Sequence, residues 1–321
     1  MGPMRSSGRY CTAPGHRPIE FDMAGTKDKT GESATSTETV SAVEALRERA
    51  RELLASGEVG VVIGYAEGSS PERARPVFLT DPGEVDRLVF DRRCVNNLVT
   101  YLKKPEITAM GKRAIVVKGC DARAINVLLL ENQLKREDIV ILGMVCEGVG
   151  DPVEEKCSSC LANTPPIYDH LFGEPVANRG WNEKTFAGVA QLEALTQEER
   201  WEFWSAHFER CIKCYACRQA CPICSCTRCI TDKNQPQWVP TSADGAGNFH
   251  WNLTRAFHLV GRCVGCNECE RACPMDIPLS LINWKLIKAV HDEYGFIAGM
   301  NSEDPPPMTT YREGEEQDFI T

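Results

Sequence analysis

No window of this 321-residue chain approaches the roughly 18 consecutive apolar residues that a helical bilayer crossing requires, so the chain is not expected to anchor itself in a membrane. An excess of positive charge is also lacking. The 36 Lys and Arg stand against 45 Asp and Glu, giving a formal net charge of −9, whereas a phosphate-binding surface draws its affinity from clustered Lys and Arg. Protein partners are expected, and nucleic acid is not. The stretch from Met1 to Val40 is rich in Gly, Ser, Thr and Lys and has no apolar segment of the kind a secretory signal needs, which makes the cytoplasm the expected compartment. Neither a nucleophile–base pair nor a phosphate-cradling loop of recognisable type occurs, so bond-making chemistry by this chain alone has no support in the sequence.

Cysteine, by contrast, is abundant. Seventeen cysteines exceed what packing in a core of this size calls for. An odd number gathered in tight C-x2-C clusters fits metal or cluster ligation in a reducing compartment, and not the disulfide framework of a short secreted domain.

Residues 1–38 are polar and aperiodic and read as a disordered tail. Ser41 and Glu44 form a candidate capping box ahead of Val43, Leu46, Ala50, Leu53 and Leu54, which recur at helical spacing until Gly57. Three β-branched apolar runs of strand length follow, Val59–Tyr65, Arg113–Lys118 and Ile139–Val145. Between the last two, Asp121 is placed to cap a helix carrying Ile125, Val127, Leu128, Leu129 and Leu134. Strand, helix, strand in so short a span predicts a crossover that leaves the two strands parallel. Residues 39–178 are therefore expected to form an α/β domain, 179–196 a linker, 197–295 a mostly helical domain, and 296–321 a Pro-rich, acidic, mobile tail. Helices are predicted over Thr196–Glu209, Asn252–Val260 and Leu279–Tyr294, with no convincing strand among them.

Within the helical domain Cys211, Cys214, Cys217 and Cys221-Pro222 spell C-x2-C-x2-C-x3-C-P, and Cys263, Cys266, Cys269 and Cys273-Pro274 spell it again. Three thiolates two residues apart wrap a loop around three corners of a cubane, and the fourth heads into a following segment. In two-cluster ferredoxins that fourth cysteine ligates the other cluster. Cys211, Cys214, Cys217 and Cys273 are thus assigned to one 4Fe-4S cluster, and Cys263, Cys266, Cys269 and Cys221 to the other. Structural zinc fits poorly, because its sites present two well-separated C-x2-C pairs. The stretch from Pro222 to Arg262 is too long for a compact bacterial ferredoxin turn. Arg255-Ala-Phe-His258, Gly261-Arg-Cys263 and Cys273-Pro-Met-Asp-Ile-Pro278-Leu resemble the α-helical ferredoxin domain of the heterodisulfide reductase small subunit and of succinate dehydrogenase iron-sulfur proteins, over residues 197–295. Cys224, Cys226 and Cys229 follow the first run at once. They read either as ligands of an additional metal site or as packing and alternative ligation around the first cluster.

In the α/β domain, Lys118-Gly-Cys120-Asp-Ala-Arg123 ends one predicted strand and Val145-Cys146-Glu-Gly148 ends the next. Parallel strands bring their C-terminal ends together, where α/β sheets bind ligands. With Cys157-Ser-Ser-Cys160 this makes four thiolates for a third 4Fe-4S cluster, zinc and plain buried cysteines being the rival readings. Together with Gly173-Glu-Pro-Val176 these motifs resemble the beta-subunit family of deazaflavin-coenzyme-reducing hydrogenases and formate dehydrogenases, over residues 59–178. The resemblance implies a 4Fe-4S cluster, often FAD, and electron passage between a deazaflavin or other partner and further clusters. For a flavin, the helix N-terminus at Asp121 with Lys118 and Arg123 is the place where a pyrophosphate would gain most. The competing reading makes Lys118 and Arg123 solvated charges that offset a negative cluster. Cys94 and Cys11 lack ligand-like neighbours and are read as non-ligands, and His207, His250 and His258 as packing or hydrogen-bonding residues.

Several one-electron carriers in one chain make sense only if electrons travel through it. The expected function is an iron-sulfur subunit relaying electrons inside a heterodisulfide-reductase-, hydrogenase- or formate-dehydrogenase-like complex. The alternatives are an FAD-bearing subunit that oxidises a deazaflavin or nicotinamide coenzyme, and a zinc-stabilised scaffold.

Overall fold

The computed structural model describes residues 37–304 and 306–307. Cys11, the rest of the predicted N-terminal tail before Thr37, and most of the acidic C-terminal stretch lie outside the described residues.

The first unit runs α1 (Thr37–Ala55), β1 (Val61–Glu67), β2 (Ala74–Leu79), α2 (Pro105–Thr108), β3 (Arg113–Val117), α3 (Gly119–Leu130), β4 (Ile139–Met144), α4 (Glu155–Ser158) and β5 (His170–Phe172). Its strands form one sheet in the order β2-β1-β3-β4-β5, with β2 antiparallel to β1 and the remaining pairs parallel. Every residue of β3 and β4 is buried, because helices or loops cover both faces of a central parallel sheet. That is why these strands read as unbroken apolar runs, and why they were predictable. β2 was not predicted. Its Arg75-Pro76 interrupts any apolar pattern, and proline is tolerated there because β2 is an edge strand whose outer side needs no ladder donor. β5 is only three half-buried residues long and leaves no pattern to read.

Alternate residues of the strands serve two cores. One face packs Val62, Val116 and Leu142 against Leu46, Ala50 and Leu53 of α1. The helix starts at Thr37, so Ser41 lies inside it and is not its N-cap. The other face packs Ile63, Ile115 and Ile141 against Ala122, Ile125 and Leu128 of α3.

The second unit is helical among the described residues, with α5 (Ala187–Glu193), α6 (Gln197–Glu209), α7 (Ala216–Ala220), α8 (Gly245–Phe257), α9 (Glu268–Arg271) and α10 (Leu279–Tyr294). α6 begins where expected: Thr196 Oγ1 accepts from the Glu199 N–H and the Glu199 carboxylate accepts from the Thr196 N–H, a capping box. α5 occupies the stretch read as a linker, and its Glu193 pairs with Lys285 of α10.

The two units share a core. Ile223, Leu259, Val264 and Cys266 of the helical unit pack into the α3 side of the sheet. Polar contacts close the seam: Arg262 pairs with Glu131, Lys103 Nζ donates to Ser225 O at 2.7 Å, and Thr100 Oγ1 to Gln219 O at 2.8 Å.

The segment at 296–300, expected as the start of a mobile tail, is docked on α3. Ala298 is buried, its carbonyl accepts from Arg123 Nε and Nη2, and Asn126 Nδ2 donates to Gly299 O at 2.9 Å. Gly299 has φ +73, and a Cβ there would sit 2.1 Å from Arg123 O. Gly57 has φ +72 but nothing within 4 Å of a Cβ. Gly57→Ala is therefore expected to cost about 1 kcal/mol, the left-handed backbone alone, and Gly299→Ala about 3 kcal/mol, because a backbone clash is added. Chemical denaturation of both variants checks this; equal losses would remove the docking from the account of stability.

Candidate metal centres

Cys120 stands in the first turn of α3, directly after β3, and Cys146 stands two residues past β4. The register pairs Val117 with Gly143, so the two strand ends lie side by side and carry the two thiols to one place. The loop after β4 folds back over them. Asn163 O accepts from the Cys146 N–H at 2.9 Å, and Asn163 Nδ2 donates to Cys146 O at 2.8 Å. Arg179 fixes the far side, donating to Cys157 O and Glu147 O at 2.7 Å each. The result is a cavity of about 50 Å³ lined by Cys120, Cys146, Cys157 and Cys160, several times the room a single water needs. Burial pushes the Cys120 and Cys157 thiols up and Cys146 to about 11. A bare thiolate is thus unfavourable here and becomes stable only when a cationic centre shares its charge, which fits a cluster site.

Lys118, Asp121 and Arg123 are not arranged to hold a flavin, nor are Lys118 and Arg123 solvated charges. Lys118 N-caps α3 and is 1% exposed; Nζ pairs with Asp121 at 3.0 Å, bonds Tyr65 OH and donates to Asn96 O at 2.8 Å. Asp121 is the third residue of the helix and accepts from the Lys118 N–H at 2.9 Å, so it serves the start of α3 without being its N-cap. Burial opposes the Lys118 charge, but Asp121 beside it holds the amine protonated. Arg123 is buried and committed to Ala298 O and to Val264 O, at 3.1 Å. The helix N-terminus is also closed, because a Cβ on Gly119 would meet Ala162 O at 1.6 Å. No room is left there for a pyrophosphate.

In the helical unit the two cysteine runs fold alike. Lys213 and Tyr215 in the first run, and Gly265 and Asn267 in the second, all take left-handed backbone at φ +51, +58, +68 and +57. Each loop then enters a short helix, α7 or α9. Three of the four positions are not glycine, so the loops hold a backbone costing about 1–2 kcal/mol per residue. Such alternation turns successive N–H groups inward, as in anion-binding nests around Fe–S sites.

Cys217 and Cys269 are buried in one group, with Cys211 and Cys273 packed at its edge, and both lie within electrostatic reach of Cys217. Cys221 and Cys266 lie within electrostatic reach of Cys263, and Cys221 is likewise close to Cys269. The fourth cysteine of each run thus stands near cysteines of the other run: Cys221 near Cys263, Cys266 and Cys269, and Cys273 in the group that holds Cys217 and Cys269. Cys214 is exposed. Burial raises Cys217 and Cys263 to about 12.

Cys224, Cys226 and Cys229 go to three places. Cys224 follows Cys221 through a tight turn, its N–H on Cys221 O at 3.3 Å, and the two thiols hydrogen bond, which lowers Cys221. Cys226 is exposed, close to Lys103 and Arg262, and Cys229 packs beside Cys211 and Tyr215. Among the described residues no three Cys, His, Asp or Glu gather as tightly as a single ion needs. Cys94 is buried, donates to Val89 O and lies apart from these sets, and burial raises it to about 12. His207 is buried and bonded to Arg210, and burial with that neighbour lowers it to about 4, so it is a neutral packing residue.

Residues 207–277 match the 4Fe-4S dicluster domain family. The chain is 24% identical, over 76% of its length and 88% of the relative, to the F420-dependent formate dehydrogenase subunit beta of Methanocaldococcus jannaschii. It is 34% identical, over 33% of its length and 27% of the relative, to the F420-dependent formate dehydrogenase 1 subunit beta of Methanococcus maripaludis. Across 67% of its length and 22% of the relative it is 22% identical to the acetyl-CoA decarbonylase/synthase complex subunit alpha 1 of Methanosarcina mazei. The chain thus resembles the formate dehydrogenase beta subunits and carries a ferredoxin domain.

Removing one partner of a buried ion pair strands the other. Lys118→Met is expected to cost about 3–5 kcal/mol in urea unfolding, and Lys118→Met/Asp121→Asn markedly less than the sum of the single changes. Additive losses would mean that the pair does not hold the start of α3.

Proposed function

We propose that this chain is an iron-sulfur electron-transfer subunit of a multi-subunit oxidoreductase, with three 4Fe-4S clusters in a row. The observation that carries the reading is the seam between the units. The cavity lined by Cys120, Cys146, Cys157 and Cys160 is also lined by Val264 and Gly265, from the second ferredoxin loop. Lys156 crosses the same seam to donate to Cys266 O at 2.7 Å. The N-terminal set therefore adjoins the cluster of Cys221, Cys263, Cys266 and Cys269, which in turn adjoins that of Cys211, Cys214, Cys217 and Cys273.

Bound there, the clusters would supply one-electron carriage, and the chain's own residues hold them apart from water and in sequence. The N-terminal site belongs to the α/β unit, and exposed Cys214 belongs to the set at the other end of the row. Electrons would pass between these ends to other subunits. A formate-dehydrogenase-like complex using a deazaflavin coenzyme is the favoured setting, because the relative matched over most of its length is so named. No described helix is long and apolar enough to cross a membrane, and all sixteen described cysteines are free, which agrees with a reducing compartment such as the cytoplasm.

Anaerobically purified protein is expected to carry about twelve irons per chain, and Cys120→Ser about eight, with the ferredoxin clusters intact. Cys273→Ser should perturb the cluster of the first run, not of the second. Zinc in place of iron would overturn the reading, and a flavin released on denaturation would favour the flavoprotein alternative.

A further inference from the structure

The two gaps between the three cysteine sets each hold a buried arginine. Arg255, from the last turn of α8, is 5% exposed. Its Nη2 donates to Cys217 O at 3.1 Å, and its Nε has no hydrogen-bond partner among the described residues. The charges within its reach are those of Cys217 on one side and Cys221, Cys224 and Cys269 on the other. Arg123, 7% exposed, lies within reach of Cys120 and Cys160 on one side and Cys263 and Cys266 on the other. Neither arginine is paired with a carboxylate among the described residues.

Three other buried charges nearby are neutralised, while Lys213 in the first loop donates to Pro240 O. Lys156 pairs with Glu154 at 2.7 Å, Glu268 with Arg271, and Lys118 with Asp121. A guanidinium taken from water without a counter-ion is costly, and it persists where an anion stands against it. A cubane held by four thiolates is such an anion, and it gains a further negative charge on reduction. In a poorly screened interior that extra charge feels a fixed cation strongly.

We infer that Arg255 and Arg123 set the reduction potentials of the clusters in pairs: Arg255 those of the two ferredoxin clusters, Arg123 those of the N-terminal cluster and the ferredoxin cluster beside it. This rests on the three-cluster reading above. The middle cluster, bound by Cys221, Cys263, Cys266 and Cys269, faces both cations. It is the place where these two charges most favour an electron, and it lies between the ends of the relay. Both arginines are potential-setting residues and take no part in ligation.

The test is a redox titration followed by electron paramagnetic resonance on the full chain, loaded anaerobically, with iron content reporting whether each variant keeps its clusters. Arg255→Gln is expected to make both ferredoxin clusters about tenfold harder to reduce, a fall of about 59 mV for one electron, with the N-terminal cluster moving much less. Arg123→Gln should lower the N-terminal and middle clusters and spare the cluster of Cys211, Cys214, Cys217 and Cys273. Arg255→Lys and Arg123→Lys, which keep the charge, should stay near the wild-type potentials. If one Gln variant loses iron, the other tests the same rule at the other gap. Iron-replete Gln variants with unmoved potentials, or Lys variants that fall as far as Gln, would overturn the inference while leaving the relay standing. Wild-type protein without iron would instead sink the cluster reading itself.

Discussion

A thiolate buried away from water is stable only beside a positive charge, and most of this structure follows from that constraint. Burial raises Cys120, Cys217, Cys263 and Cys266 well above the ordinary thiol range. The protein nonetheless gathers its cysteines at the ends of two strands and in two left-handed loops. Such sites cost free energy as bare thiols in strained backbone, and they become favourable when a cluster shares the charge. The buried arginines show the same constraint from the other side, as cations awaiting an anion.

The fold is arranged to keep these sites in one body. Because α3 packs on the sheet with one side and receives Ile223, Leu259 and Val264 with another, the α/β and helical units share a hydrophobic core. The residues between and after them, α5 and the 296–300 segment, add contacts to the same body. Rigid spacing is what a one-electron relay needs, since transfer depends on short, fixed separations between carriers. A flexible tether between two free domains would not provide them.

Buried charge has two different uses around α3. Lys118 and Asp121 neutralise one another and fix the helix start behind Cys120, a structural role visible in their bonds to Tyr65, Asn96 and the Lys118 N–H. Arg123 is bonded only to carbonyl oxygens, which orient it but leave its charge uncompensated. Two cationic residues five positions apart thus differ in what they can do to a cluster.

Cysteine spacing by itself determined the chemistry here, because a cubane's corners impose C-x2-C-x2-C-x3-C-P on the loop that wraps it. Apolar runs likewise determined β1, β3 and β4, since burial on both faces leaves an unbroken hydrophobic signature, and helical spacing located α6, α10 and the C-terminal half of α8, but not α5, α7 or α9. Tertiary structure alone decided the rest. Pro76 hides an edge strand whose existence depends on β1. Lys118 and Arg123 look alike in sequence, but Lys118 finds Asp121 and Tyr65 inside its own unit, whereas Arg123 finds Val264 and Ala298 by packing across the seam. Cys224, Cys226 and Cys229 lie within six residues, but a turn at Cys221 sends them to separate surroundings. The placing of Arg123 beside Val264 and Ala298, and of Lys156 on Cys266 O, arises from contacts between residues more than a hundred positions apart, which no local pattern records.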